Sequence, residues 1–183
     1  MTYKLSDFDL NKIFSEYIND ILNKNKIKYE SSLIIGWRDS VYNKIFENLI
    51  EAQYKNIVLI DIFKQNIINF KNEKKNIKYF VADVRNSLNI FSKNSFDLIC
   101  WQHGPEHLEK QESVNIIENQ LKIISKNYIL LESPLGEFNQ DEMYGNIYEK
   151  HLSSWSEEDY QNMKFKTAMG EENKNIIALW KKN

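Results

Sequence analysis

The chain has only 3 histidines. Two of them, His103 and His107, flank Glu106 in WQHGPEHL, and the third, His151, lies in EKHLSSW. Imidazole is the side chain best matched to proton transfer near neutral pH. Each histidine also has a plainer reading as a loop hydrogen-bonding group. All three fall on segments that follow apolar runs, which groups them at one rim of the fold. Grouped there, at least one of the three is expected to face a substrate; His107 or His151 could serve as a catalytic base, with His103 and Glu106 nearby. His103 and His107 are four residues apart, but Gly104 and Pro105 between them argue against a helix that would align them. A loop could still gather them with Glu106 or His151 around a divalent ion; no metal is assigned.

A second set of candidates ends short apolar runs. Gly36 follows SSLII, Asp61 closes NIVLID, Asp83 closes IKYFVAD, and Trp101 and Gln102 follow FDLIC. Asp61 comes about 25 residues after Gly36, where an acid can accept both ribose hydroxyls of a nucleoside. It can equally cap the helix that follows. Asp83 has the same two readings, as an acceptor for the exocyclic amine of adenine or as a cap.

These positions need a frame. The apolar runs SSLII, NIVLID, IKYFVAD, FDLICW and NYILLES alternate with helix-compatible segments, SVYNKIFENLIEAQ, FKQNIINFKN, a short RNSLNIF and KQESVNIIENQLKIIS. Strands alternating with helices predict a parallel sheet covered on both faces. The fully apolar NIVLI and FDLIC suit strands buried on both sides. After Ser133 the rhythm breaks into an irregular stretch. A short helix capped by Ser156 and two final runs, KFKTAMGEE and NIIALWKK, then predict a terminal antiparallel hairpin. The first thirty residues carry apolar positions at helical spacing.

With 183 residues, 42% hydrophobic and 27% charged, the chain suits one α/β domain over residues 1–183. The net charge of −2 lacks the basic excess of a nucleic-acid binder, so a small-molecule partner is expected and nucleic acid is not. Nothing in the composition excludes a homo-oligomer or a protein partner. The single cysteine, Cys100, reads as a small buried hydrophobe and offers no disulfide or cysteine-based zinc site. The N-terminus lacks a signal-peptide pattern and no apolar run reaches a membrane span, so a cytoplasmic, membrane-free protein is expected.

The order of these signals resembles the class I S-adenosylmethionine-dependent methyltransferases over nearly all of the chain after Ser31. FDLICWQHGPEHLEKQESVNIIENQLKIIS resembles that family's fourth strand, acidic-His loop and following helix. The stretch from Pro134 to Trp155 resembles a bacterial and archaeal subgroup, through Pro134, Gly136, Gly145, Asn146, His151, Ser153 and Trp155. The resemblance implies a Rossmann-like methyltransferase fold, with a mostly parallel seven-stranded sheet, a C-terminal antiparallel hairpin and helices on both faces. It implies S-adenosylmethionine as cofactor, with Gly36 under its methionine part, Asp61 on the ribose, Asp83 and Val84 at the adenine, and Trp101 and Gln102 lining it. Glu106 and His107 match the acidic-His pair bordering the substrate, and His151 matches a histidine of residues 134–155, the substrate-side loop.

The first loop departs from the pattern. Ile34, Arg38 and Ser40 stand where the family has an acid and two glycines, leaving a degenerate glycine-rich motif around Gly36. The expected activity is direct methyl transfer to a small molecule, such as a sugar or secondary-metabolite hydroxyl. The alternative is a methyltransferase-like binding or partner subunit that has lost catalysis, with Trp37 and Trp155 as a contact surface.

Overall fold

The computed structural model describes residues 30–36, 55–69, 77–169 and 174–183. The expected N-terminal helix, the helix after the first strand, and Trp37, Arg38 and Ser40 lie outside the described residues. The strands are β1 (Ser31–Ile35), β2 (Asn56–Asp61), β3 (Ile77–Val81), β4 (Phe96–Gln102), β5 (Ser125–Pro134), β6 (Lys166–Met169) and β7 (Asn175–Lys181). They form one 7-stranded sheet in the order β3-β2-β1-β4-β5-β7-β6. All pairs up to β4–β5 are parallel, while β7 runs antiparallel to both β5 and β6. The seven-stranded, mostly parallel sheet with its terminal hairpin is the architecture expected from the sequence.

Hydrophobic patterning explains the strand order. The central strand β4 is buried along nearly its whole length, as its unbroken FDLICW run requires. Leu33, Ile60, Ile99, Ile129 and Leu131 lie fully inside one face of the sheet, with Trp155 and Tyr160. Cys100 is buried on the opposite face, where loss of water pushes its thiol well above the ordinary range.

The described helices are α1 (Lys64–Asn69), α2 (Ser87–Ile90), α3 (Lys110–Ile116), α4 (Lys122–Ile124) and α5 (Glu157–Asn162). A π-helical turn over Ile117–Leu121 joins α3 to α4. Ser156 caps α5 as expected, within a reciprocal box: its hydroxyl accepts from the Asp159 N–H, and Asp159 accepts from the Ser156 N–H at 2.7 Å. No helix among the described residues is long and apolar enough to cross a membrane.

The amino ends of three central strands meet on one carboxylate. Asp97, at the start of β4, is buried and accepts from the backbone N–H groups of Glu30 and Ser31 at 2.9 and 3.0 Å. It also accepts from Asn127 Nδ2 at 3.0 Å and pairs with Lys126 Nζ at 3.2 Å, both at the start of β5. This anchor lies at the sheet edge opposite the candidate residues and holds the strands in register there. Asp97→Ala leaves those donors without their acceptor and should lower unfolding stability by about 2–4 kcal/mol, measured by urea denaturation.

Candidate functional site

The parallel register places the carboxyl ends of β1, β2 and β4 side by side: Ile35 pairs with Ile60 on one side and Trp101 on the other. In an open parallel sheet the ligand crevice lies outside these ends. Here a cleft of about 1290 Å³ opens there, large enough for a nucleoside-sized ligand and a second molecule. Gly36, Asp61, Asp83, Val84, Trp101, Gln102, His103, His107 and His151 all line it. Glu106 is buried beside it.

Gly36 sits at φ +80°, and its N–H donates to the Ile60 carbonyl at 2.8 Å. A Cβ here would meet nothing within 4 Å, so the backbone faces open cleft in a conformation that favours glycine. Gly104 has the opposite constraint. Its backbone lies against the Trp101 indole, which a Cβ would overlap, so glycine is required for close approach.

The two strand-end acids shape the loops that follow them. Asp61 accepts from the Phe63 N–H at 2.7 Å and from Asn66 Nδ2 at 3.0 Å, turning the chain into α1. Asp83 accepts from the Arg85 N–H at 2.9 Å and pairs with the Arg85 guanidinium, its Nε at 2.7 Å. Asp83 is therefore the N-cap of the 3-10 turn Val84–Asn86, one of the two readings open from sequence, while Asp61 closes a side-chain turn just ahead of α1. Carboxylate oxygens hold more than one lone pair, so a further acceptor role is compatible with these bonds. Arg85, which reaches Glu112 as well at 3.7 Å, is a cleft residue that sequence reasoning missed.

The histidines divide into two kinds. His103 adopts φ +44°, and its N–H donates to the Glu132 carbonyl at 2.9 Å. Its Nδ1 lies 3.3 Å from Glu106 Oε1 and its Nε2 3.6 Å from Glu132 Oε1. Glu106 and Glu132 are only 1% and 8% exposed. Desolvation works against the charge on His103, but the hydrogen bonds and attraction of these two carboxylates outweigh it and raise its pKa from 6.5 to about 10. Burial opposes ionisation of Glu132, yet His103, Gln102 and Asn175 together hold its carboxyl below the usual range. His103 is thus a fixed imidazolium. Glu132 went unnoticed in sequence reading, although a charged residue inside the apolar run YILLES was the available signal.

His107 and His151 are arranged differently. His107 Nδ1 lies 3.2 Å from the Lys150 carbonyl, and His151 Nδ1 lies 2.7 Å from the Phe138 carbonyl. A carbonyl only accepts, so each Nδ1 carries a proton and leaves Nε2 as the nitrogen turned to other partners. Burial is the largest influence on His151 and holds its pKa below the ordinary value, so the ring is neutral at pH 7. The two rings meet edge-on, with centroids 4.9 Å apart. Donor atoms of Glu106, His107 and His151 all lie within 4.8 Å of one another. Glu106 Oε2 is buried with no hydrogen-bond partner, an open acceptor beside the imidazoles. The sequence reading assigned no metal; the fold gathers these three residues into a donor set able to hold one. The turn between the histidines is a 3-10 turn (Pro105–His107), consistent with the argument against an α-helix there.

Trp155 is not part of a contact surface. It is 1% exposed, stacked on Tyr160 at 4.8 Å, with Nε1 donating to Ser153 Oγ at 3.1 Å. Burial of its large apolar ring overrides the expected exposure.

Among solved structures, the small RNA methyltransferase HEN1 superposes with a TM-score of 0.63 at 14% identity, over 100% of this chain and 26% of that one. The N-methyltransferase NodS of Bradyrhizobium japonicum, in complex with S-adenosyl-L-homocysteine, gives 0.62 at 16% identity over 94% and 87%. The CurJ carbon methyltransferase gives 0.66 at 11% identity over 93% and 53%. The fold is that of the Rossmann-like methyltransferases. At these identities the likeness is one of fold. No protein-family model matches the chain, and no curated protein matches it in sequence.

Within this methyltransferase-like fold, the raised His103 pKa has a definite pH signature. Its stabilising contribution is full below about pH 6.5, declines as pH rises and is gone by about pH 10. The ring is 42% exposed, so solvent screening moderates the effect. The urea midpoint should fall between pH 7 and 10 more steeply in the native protein than in His103→Asn. Equal slopes would contradict the imidazolium assignment.

Proposed function

We propose that the chain is an S-adenosylmethionine-dependent methyltransferase acting on a small-molecule hydroxyl. The observation that carries the reading is the cleft at the strand ends, with an open glycine cradle on one side and Glu106, His107 and His151 on the other. Gly36 would underlie the methionine part of the cofactor, Asp61 the ribose, and Asp83 with Val84 the adenine, with Trp101 and Gln102 alongside. The cradle fits such a ligand, since a Cβ at Gly36 would meet nothing within 4 Å among the described residues. When bound, the cofactor supplies an activated methyl group on a sulfonium. The chain's own work is then to position the acceptor, exclude water and manage one proton.

His107 and His151 are suited to that proton, because each presents Nε2 while a backbone carbonyl holds Nδ1. The same geometry suits a second role. Two imidazoles and one carboxylate form a donor set suited to ions such as Mn²⁺, Co²⁺ or Zn²⁺. Carbonyl groups that hold the opposite ring nitrogens are the usual support for histidine ligands. An ion held there would fix an acceptor oxygen and ease its deprotonation.

The rim favours a small, uncharged acceptor over a polyanion. Between Pro134 and Trp155 the chain carries Glu137, Asp141, Glu142 and Glu149 against Lys150 alone, and Phe138 and Tyr148 line the cleft. Arg85 is spent on Asp83 and Glu112. A nucleic-acid acceptor would need basic groups here.

Calorimetry with S-adenosylhomocysteine should show binding, and Gly36→Val, which fills the cradle, should weaken it roughly tenfold or more. Absence of binding at millimolar ligand would overturn the reading. Methyl transfer from labelled cofactor should appear on hydroxylated small molecules and not on single-stranded RNA. Chelation should abolish turnover and added Mn²⁺ restore it, with Glu106→Gln unresponsive to the metal; turnover that survives chelation leaves His107 and His151 as metal-free bases.

A further inference from the structure

The reading above leaves one feature of the site without a role. His103 lies next to the three clustered residues yet is not one of their ligand set, since its two ring nitrogens face the carboxylates of Glu106 and Glu132. It also occupies a left-handed backbone conformation, φ +44°, which a histidine adopts only when the surroundings impose it.

The surroundings here form a connected line. Glu132, at the carboxyl end of β5, is fixed by Gln102 Nε2 on Oε2 at 2.9 Å and by Asn175 Nδ2 on Oε1 at 3.1 Å. Its backbone carbonyl takes the His103 N–H, and its carboxylate faces His103 Nε2. His103 Nδ1 in turn engages Glu106 Oε1. Glu106 Oε2 is thereby the oxygen left without a protein partner, and His107 and His151 stand beside the same carboxylate.

We propose that His103 is a positioning residue: braced against Glu132, it holds Glu106 by Oε1 so that Oε2 serves as a single, directed ligand for a divalent cation shared with His107 and His151. This rests on the metal-binding role argued above for those three residues. The brace does two things. It stands between the two buried carboxylates with one ring nitrogen turned to each. It also prevents Glu106 from swinging to a two-oxygen grip, keeping the site as two nitrogens and one oxygen. Outer residues of this kind change metal affinity by about 10–100-fold without touching the ion.

The test uses Mn²⁺ alone as ligand, followed by calorimetry and by the free-ion magnetic resonance signal, with S-adenosylhomocysteine binding measured in parallel. His103→Asn is the informative variant, because asparagine tolerates the left-handed backbone and is too short to span both carboxylates. Its melting temperature at pH 7 and homocysteine-product affinity report folding and the cofactor side. Its Mn²⁺ dissociation constant should rise about 10–100-fold. Glu132→Gln should weaken Mn²⁺ binding in the native background and add little in His103→Asn, since both act through one chain of contacts. Mn²⁺ affinity within about twofold of native in a folded His103→Asn would overturn the proposal, as would independent, additive effects of the two substitutions. Failure of the native protein itself to bind Mn²⁺, with S-adenosylhomocysteine still bound, would overturn the cation site and this inference together while sparing the methyltransferase reading.

Discussion

Two carboxylates almost without solvent, Glu106 and Glu132, set the terms for the histidine-bearing rim. An ionised carboxylate in such a place is costly unless a positive partner and hydrogen bonds compensate it. Glu132 has both, from His103, Gln102 and Asn175. Glu106 has half of this arrangement, one oxygen engaged and one open. The asymmetry gives the site its direction. Its backbone contributes as well: the Glu106 carbonyl accepts the N–H groups of Leu152 and Ser153 at 2.8 and 3.1 Å, tying the loop that bears His151 to the turn that bears His107. One residue thus sets both the charge of the site and the approach of its two imidazoles.

That local arrangement depends on sheet register. Gln102 and Glu132 are direct partners across β4 and β5, and Asn175 begins β7, where it pairs with Pro134 on β5's other side. The three groups that hold Glu132 therefore come from its two neighbours in the sheet, Gln102 and His103 from the end of β4 and Asn175 from the start of β7. A one-residue slip of β5 would turn Glu132 to the other face and leave His103 facing no carboxylate there. The buried Asp97 at the opposite edge helps prevent such a slip by gathering the starts of β1, β4 and β5. Stability at one end of the strands serves geometry at the other.

The sequence revealed the frame more readily than the site for the same reason. Strands buried on both faces leave continuous apolar runs, so FDLICW and NIVLID could be read as central strands without a partner in view. The capping box at Ser156 is a four-residue signal and was equally legible. The rim histidines were legible as a group because each follows a strand. What could not be read was the division of labour among them. His103 and His107 are the same residue type in the same short loop, yet one faces two buried carboxylates and the other a backbone carbonyl. That difference is set by Glu132 and by the carbonyl of Lys150, which are distant in sequence from the loop. The π-helical turn at Ile117–Leu121 left no recognisable trace either, since its apolar pattern also fits an ordinary helix.

The strand-end acids show how capping and ligand binding compete for the same atoms. Asp61 and Asp83 each spend carboxylate lone pairs on turning the chain, and the loops they shape line the cleft. Removing either acid would therefore alter a loop before it altered a ligand contact, and a loss of affinity would not by itself identify a direct bond. The glycines separate more cleanly. Gly36 is needed for its left-handed backbone over open space, whereas Gly104 is needed so that the chain can lie flat on Trp101. The first constraint belongs to a ligand cradle and the second to packing beneath the His103 brace. A site assembled this way carries its specificity in the supports as much as in the groups that face the cleft.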